Sequence, residues 1–488
     1  MISIPRSELR ESYDAVVLGA GVGGLTCASF LREAGLDVLV LEHHYQPGGC
    51  CTSFRRRRYV FDAAVHHVGG CGRYGVVGRV LARFGVGVEM TRLDPMDHLV
   101  FPDLEFEVPA DLDELQRRLQ ARFPAEAMRI ELFFRDLVRL YRQVLRGRGE
   151  LLERYRAATF EELLADAFED PELRRLLGGQ WGYLGLPAEQ VSAVGMVQML
   201  VSYLRDGAWY PRGSTQAFAD ALARGLLERG AHVLLRSRAA AVLVEDGPGG
   251  PRPAGVRLED GRAVRCDTVV SNVDARQLFE ELLPPEVCAP ERARIAELVP
   301  SSSFYGLYLG LAPGTDLTRL PRGFYYPGPG HAGAADGAIE WLYVSVASRY
   351  DPSLAPPGHH VLSSTVGVDA THPAHAAWQD DRDGLARAAL AYLGERIPDL
   401  PSKIEYLESA SPRTLSRYTL ARDGVAYGWA VRPDQAGDAR FPSETSLPGL
   451  YLTGQWTTPG PGVAAVTASG WATAGRVLKR RQEASIRR

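Results

Sequence analysis

The residues with the clearest chemical meaning come early. In Gly19-Ala20-Gly21-Val22-Gly23-Gly24, glycine holds the first, third and sixth positions of a turn, and Glu42 follows further on. Gly19 permits the tight turn, Gly21 lets the backbone approach a pyrophosphate, and Gly24 lets the next helix pack closely on its strand. The helix opening there presents unpaired N–H groups and its positive dipole end to phosphates. Glu42 can accept hydrogen bonds from ribose hydroxyls, with His43 beside it as a further contact. Its charge repels a 2′-phosphate, which disfavours NADP. On these residues alone the ligand is a dinucleotide, NAD included.

Such a turn works only if a strand leads into it, a helix leaves it and a second strand returns, within roughly 30 residues. Residues 13–18 are a short, β-rich apolar run, and 25–34 have helical apolar spacing that stops at Gly35. Residues 37–41 form the second apolar run, with Glu42 at its end. From 111 to 205 the spacing is helical, and 188–204 is unusually apolar, with Met196, Val197, Met199, Leu200, Val201 and Tyr203. Such a stripe serves equally as core or as the roof of an apolar channel. Strand character returns at 232–235, 240–244, 255–258, 263–264 and 267–270, with a helix at 220–229 before them and a turn at 246–250. The runs 304–311, 339–346, 360–368 and 404–409 alternate as half-buried antiparallel strands do. Residues 450–454 read as a strand entering a glycine turn, and 463–477 as a helix of small residues. The proline- and glycine-rich stretches at 313–337 and 351–358 read as surface connections.

A chain of 488 residues is long enough for two or three domain-sized units. Its 45% hydrophobic and 23% charged residues are ordinary for a soluble globular protein, and a net charge of -4 gives no pull toward nucleic acid. The six cysteines lack the paired spacing of a zinc site, so no metal centre is expected. They read as reduced thiols of a cytoplasmic protein, with a redox role for adjacent Cys50 and Cys51 as the minor alternative. No run has the roughly 18 apolar residues that span a bilayer. Arg55–Arg58 and the tail Lys479-Arg480-Arg481 with Arg487 and Arg488 read as solvated charge, with peripheral membrane contact as the other reading.

After Glu42, Gln46-Pro47-Gly48-Gly49, then Ser53 and Phe54, then Tyr59-Val60-Phe61-Asp62, resemble the motif that follows the second strand in the FAD-binding amine oxidase and phytoene desaturase superfamily. Leu450-Tyr451-Leu452-Thr453-Gly454, with Pro459-Gly460-Pro461-Gly462-Val463, resembles that superfamily's last FAD motif. Within it, the carotenoid isomerase and retinol saturase branch is the nearest resemblance. The matching stretches are Phe61-Asp62-Ala63-Ala64-Val65-His66-His67-Val68-Gly69-Gly70, Gly179-Gln180-Trp181-Gly182-Tyr183-Leu184-Gly185-Leu186-Pro187 and Trp209-Tyr210-Pro211-Arg212-Gly213-Ser214. The chain departs from the pattern at Ser214, where a glycine is usual, at Ala239, where a larger apolar residue lies under the adenine, and at Gln455, where an acid is usual.

The resemblance implies an α/β fold: a discontinuous Rossmann-type FAD-binding domain at 12–95, 208–275 and 440–488, a helical cap at 96–207, and a mixed-sheet substrate-binding domain at 276–439. It implies FAD as cofactor, with Gly48, Gly49, Ser53, Ala239, Gly454, Gln455, Gly462 and Val463 joining the first glycines and Glu42 as contacts. It implies saturation, desaturation or isomerisation of carbon–carbon double bonds in a long apolar carotenoid, retinoid or other polyene. His66 and Tyr210 are the candidates for proton transfer, and Arg205 with Asp206 for closing the channel mouth. With one dinucleotide turn in the chain, electrons come from or go to an external partner such as NAD(P)H, a quinone or oxygen. The alternatives are a reductive cyclase of a polyene polyketide, a flavin amine oxidase, for which Lys403 and Lys479 are poorly placed, and a prenyl-binding escort protein that binds no FAD.

Overall fold

The computed structural model describes residues 2–247, 250–328, 337–368 and 372–486. Pro248 and Gly249 of the expected turn, part of the 313–337 connection, and Arg487 and Arg488 lie outside the described residues. A five-stranded parallel sheet carries the early glycine turn. Its spatial order is His232–Leu234, Val38–Leu41, Ala15–Leu18, Thr268–Ser271, Leu450–Leu452. Counted along the chain this is 3-2-1-4-5, and the order reverses between the first and fourth strands. Ligands of such sheets bind in the crevice at that reversal.

Both faces of the sheet are covered, so its strands are apolar throughout. Ala15 and Val17 face the helices Val22–Glu33, Thr215–Glu228 and Val463–Ile486, packing on Leu25, Leu222 and Val477. Val16 and Leu18 face the other way, onto Val242, Val256 and Val264 of the antiparallel meander Ala239–Gly247, Gly250–Leu258 and Ala263–Arg265. Each of these valine and leucine side chains stabilises the layer by about 1.5–3 kcal/mol.

A second sheet has seven strands in the order Ile404–Ala410, Tyr305–Leu311, His360–Val368, Ile339–Ser345, Gly323–Tyr325, Asp97–Val100, Glu105–Val108. Two findings here differ from expectation. Tyr305–Leu311 is buried at every position rather than on alternate ones. Leu307 and Leu309 pack on Leu385 and Leu393 of the helix Arg382–Gly394, while Tyr308 joins the core under the cap. Gly323–Tyr325, within a stretch expected to be a surface connection, is a buried internal strand parallel to Asp97–Val100. The hairpin of 97–108, which the sequence places with the cap, thus forms the edge of this sheet.

The cap is built from Leu112–Arg122, Ala127–Arg146, Phe160–Ala167, Pro171–Gly178 and Ala193–Asp206. Local signals set its boundaries. Asp111 accepts from the Glu114 N–H, Thr159 and Glu162 form a reciprocal capping box, and Asp170 accepts from Glu172 and Leu173 just before Pro171. Among the described residues no helix is long and apolar enough to cross a membrane. Two of the early arginines are paired within the fold, Arg56 with Glu408 and Arg58 with Glu405.

Candidate active site

Gly21 caps the first helix with backbone alone, so the N–H groups that open the helix keep no intrahelical partner. A Cβ on Gly24 would sit 2.2 Å from the Gly19 carbonyl oxygen, and one on Gly21 2.7 Å from Asn272 Nδ2. The turn is therefore closed around backbone, with room for a phosphate and none for a side chain. The Gly48 N–H donates to the Ala20 carbonyl at 2.8 Å, which ties the second glycine pair to the first turn. Glu42 is buried, and its two oxygens accept from the N–H groups of Ala20 and His44, each at 2.8 Å. Its carboxylate is fixed in place while further lone pairs remain for ribose hydroxyls.

From this cradle a cavity of about 1000 Å³ continues between the meander, the last helix, the cap and the second sheet. Gly19, Gly21, Gly23, Glu42, His43, Gly48, Gly49, Ser53, Ala239, Gln455, Gly462 and Val463 all reach its wall. Ala20, Gly24 and Gly454 stand just behind it, and Gly454 donates its N–H to Ser469 Oγ at 3.1 Å. Residues 463–466 at the start of the last helix also border the cavity. These groups fit FAD: a backbone cradle for the diphosphate, an anchored acid for the ribose and a helix N-terminus further along.

The same cavity shows which cap residues are core and which are roof. In Ala193–Asp206, Met196, Val197, Leu200 and Val201 pack into the core, whereas Met199, Ser202, Tyr203 and Asp206 face the cavity. His66, Tyr183, Phe324, Trp341 and Tyr343 complete the aromatic end.

His66 reaches the wall, with Nε2 3.0 Å from Thr365 Oγ1 and its ring stacked on Tyr343 at 5.5 Å. The structure does not bring Tyr210 or Arg205 to this cavity. Tyr210 is 1% exposed and donates its hydroxyl proton to Asp62 Oδ2 at 2.6 Å. Ser53 and Thr215 also donate to Asp62, so the tyrosine belongs to a buried brace between three segments. Arg205 projects outward from the helix end beside Asp206.

Sequence reasoning did not single out the residues that complete the site. Asn272 follows the fourth parallel strand and abuts Gly21, Gly23, Gly24 and Gly454 at the reversal point. Asp97, fully buried, accepts from Tyr183 and Gln180 at 2.6 Å and from Tyr343 at 3.1 Å. Arg322 Nη1 lies 3.8 Å from Asp97 and donates to the Tyr343 hydroxyl at 3.2 Å.

Burial pushes the His66 pKa down from 6.5 to about 4, with Asp62 opposing and Arg322 adding. The folded value lies below the unfolded one, so protons favour the unfolded chain. Stability contributed by neutral His66 is complete above about pH 6.5 and is lost as pH falls toward 4. Between pH 7 and 5 the loss is about 2 kcal/mol. Denaturant unfolding of wild type and His66→Gln at both pH values measures it, and an unchanged difference between the two proteins would refute it.

A family model described as flavin containing amine oxidoreductase matches residues 22–478. Prolycopene isomerase 2, chloroplastic, from an Oncidium hybrid cultivar is 28% identical, over 96% of this chain and 84% of its own. The zeta-carotene-forming phytoene desaturase of Myxococcus xanthus is also 28% identical, over 93% and 92%. All-trans-retinol 13,14-reductase of Danio rerio is 24% identical, over 92% and 83%. Among solved structures, an oxidoreductase from Methanosarcina mazei shares the fold with TM-score 0.68 and 19% identity, over 94% and 99% of the two chains. Cyclohexylamine oxidase from Brevibacterium oxydans IH-35A does so with TM-score 0.60 and 16% identity, over 96% and 100%. The family match spans most of the chain, and the chain belongs to the flavin containing amine oxidoreductase family as an FAD-dependent oxidoreductase.

Proposed function

We propose that the protein saturates, desaturates or isomerises carbon–carbon double bonds of a long apolar, conjugated substrate. The observation that carries this reading is the continuity of the cavity from the diphosphate cradle into the aromatic end walled by Met199, Tyr203, Phe324 and Trp341. Bound there, FAD supplies the hydride or electron transfer that side chains cannot. The chain's own part is to hold an extended apolar molecule along that wall, exclude water and handle the proton. His66, neutral and anchored by Thr365, is the residue we assign to the proton. The relatives named as acting on prolycopene, retinol and a carotene precursor support the substrate class.

Neither Lys403 nor Lys479 borders the cavity, which favours this reading over amine oxidation with a lysine beside the ring. The electron partner is external, a nicotinamide, a quinone or oxygen. Anaerobic photoreduction of the purified yellow protein, followed by reoxidation with candidate polyenes, quinones and amines, tests the assignment. A conjugated polyene or quinone is expected to reoxidise it faster than simple amines reduce the oxidised form. Silence from every polyene would sink the reading.

A further inference from the structure

Arg440 lies behind the loop that joins the last parallel strand to the last helix, and only 2% of it is exposed. Its Nη2 donates to the carbonyls of Gln455 at 2.6 Å and Trp429 at 3.2 Å, and its Nε to that of Thr457 at 3.2 Å. Its Nη1 has no hydrogen-bond partner among the described residues. A Cβ added to Gly460 would sit 3.2 Å from its Cζ, so the guanidinium packs against the loop backbone itself.

Carbonyl dipoles solvate a guanidinium but do not neutralise it. Among the described residues no carboxylate pairs with Arg440. The acids nearest to it in sequence, Asp438 and Glu444, turn to Arg156 at 3.8 Å and to Arg480 at 3.3 Å. Gln455, which takes the shortest of the bonds, is neutral where an acid is usual. Burial, with no carboxylate to oppose it, pushes the Arg440 pKa down to about 10, which leaves the group charged at neutral pH. A buried cation without a counter-charge is costly, and here the fold keeps one.

The missing negative charge has a place across the loop. On its far side Gln455, Trp456, Pro459 and Pro461 border the cavity. Gly454, the residue before Gln455, abuts the first glycine turn, where a Cβ on Gly23 would sit 3.0 Å from the Gly454 Cα. Arg440 is therefore bonded to the residue next to the diphosphate cradle. It does not have to be touched to act. The attraction between two charges falls only as the inverse of their distance, and within a protein it is several times stronger than in water.

We propose that Arg440 is an electrostatic anchor for FAD, whose charge, held behind the cavity wall, stabilises the cofactor's diphosphate without contacting it. The role is one of binding, not catalysis, and it rests on the cradle and not on the substrate class.

FAD dissociation from the purified holoenzyme, read as flavin fluorescence released on dilution, tests it in wild type, Arg440→Lys and Arg440→Gln. Lysine keeps the charge and loses the fork of hydrogen bonds, whereas glutamine keeps a donor and loses the charge. Arg440→Gln is expected to weaken FAD binding about tenfold, the scale of one charge acting through about 10 Å of protein. Arg440→Lys is expected to stay within about threefold of the wild type. Equal weakening by both would make the guanidinium a staple of the loop and overturn the proposal, as would wild-type affinity in both. The flavin reduction potential is the second readout. A lowered potential in Arg440→Gln with unchanged FAD affinity would set the charge against the reduced ring instead and likewise overturn it. If Arg440→Gln does not fold, the lysine variant decides: wild-type affinity supports the anchor, and a folded protein that binds FAD about tenfold more weakly overturns it.

Discussion

Gly24→Ala is expected to yield a protein without bound flavin that unfolds well below the wild type. The added methyl would lie 2.2 Å from the Gly19 carbonyl oxygen and 3.3 Å from Asn272 Cβ. Neither neighbour is free to move. The Gly19 N–H is bonded to the Leu41 carbonyl at 2.8 Å, and the Gly19 oxygen faces the Asn272 amide at 3.4 Å. Overpacking against a side chain costs about 1–3 kcal/mol, and against fixed backbone the upper end is the minimum. The turn must open, and opening it withdraws the N–H groups that hold the diphosphate. The loss of bound cofactor then removes its own stabilising contribution by mass action. Gly475→Ala is the matched control: a Cβ there meets nothing within 4 Å, inside the last helix. Alanine is expected to raise stability at that position by roughly 0.5–1 kcal/mol and leave the colour intact. The ratio of visible flavin absorbance to protein absorbance, with a thermal melt, reads both. A yellow Gly24→Ala protein of normal stability would mean that the turn does not hold the cofactor.

The cradle was legible because its physics is local. A backbone that must approach phosphate forbids side chains at fixed spacings, and Glu42 stands where the second strand delivers it. The long cap helix was legible as a helix for the same reason, since Met196, Val197, Leu200 and Val201 recur at its period. Which of its faces is core and which is cavity depends on what packs against each, and only the fold shows that Met199 and Tyr203 face the cavity. Gly323–Tyr325 escaped because three residues between prolines carry no period, and pairing on both sides makes them a strand. Tyr210 shows the reverse failure. A family motif drew attention to it, but its hydroxyl is used by Asp62. The polar cluster beyond the cavity wall was illegible, because Asp97, Arg322 and Tyr343 come from segments far apart from Tyr183 and carry no motif, and the motif around Tyr183 says nothing of its partners.

That cluster supplies the second large effect. Asp97→Leu is expected to destabilise the protein by about 3–5 kcal/mol, because it leaves the Arg322 guanidinium, whose side chain is 3% exposed, without its counter-charge. Removing both charges with residues of similar volume, as in Asp97→Leu with Arg322→Met, is expected to recover most of that loss, since two buried charges are expensive to desolvate even when paired. Burial alone raises the Asp97 pKa, and Arg322 together with Tyr183, Gln180 and Tyr343 opposes the rise. Denaturant unfolding of the two single variants and the double variant, run as a cycle, gives the coupling. A single variant costing under about 1 kcal/mol would show that water reaches the pair. The double variant separates two reasons for the pair to be there. If it regains stability, the ion pair contributes little to holding the sheet and cap together. Its work is then to orient Tyr343 beside His67 in the cavity wall.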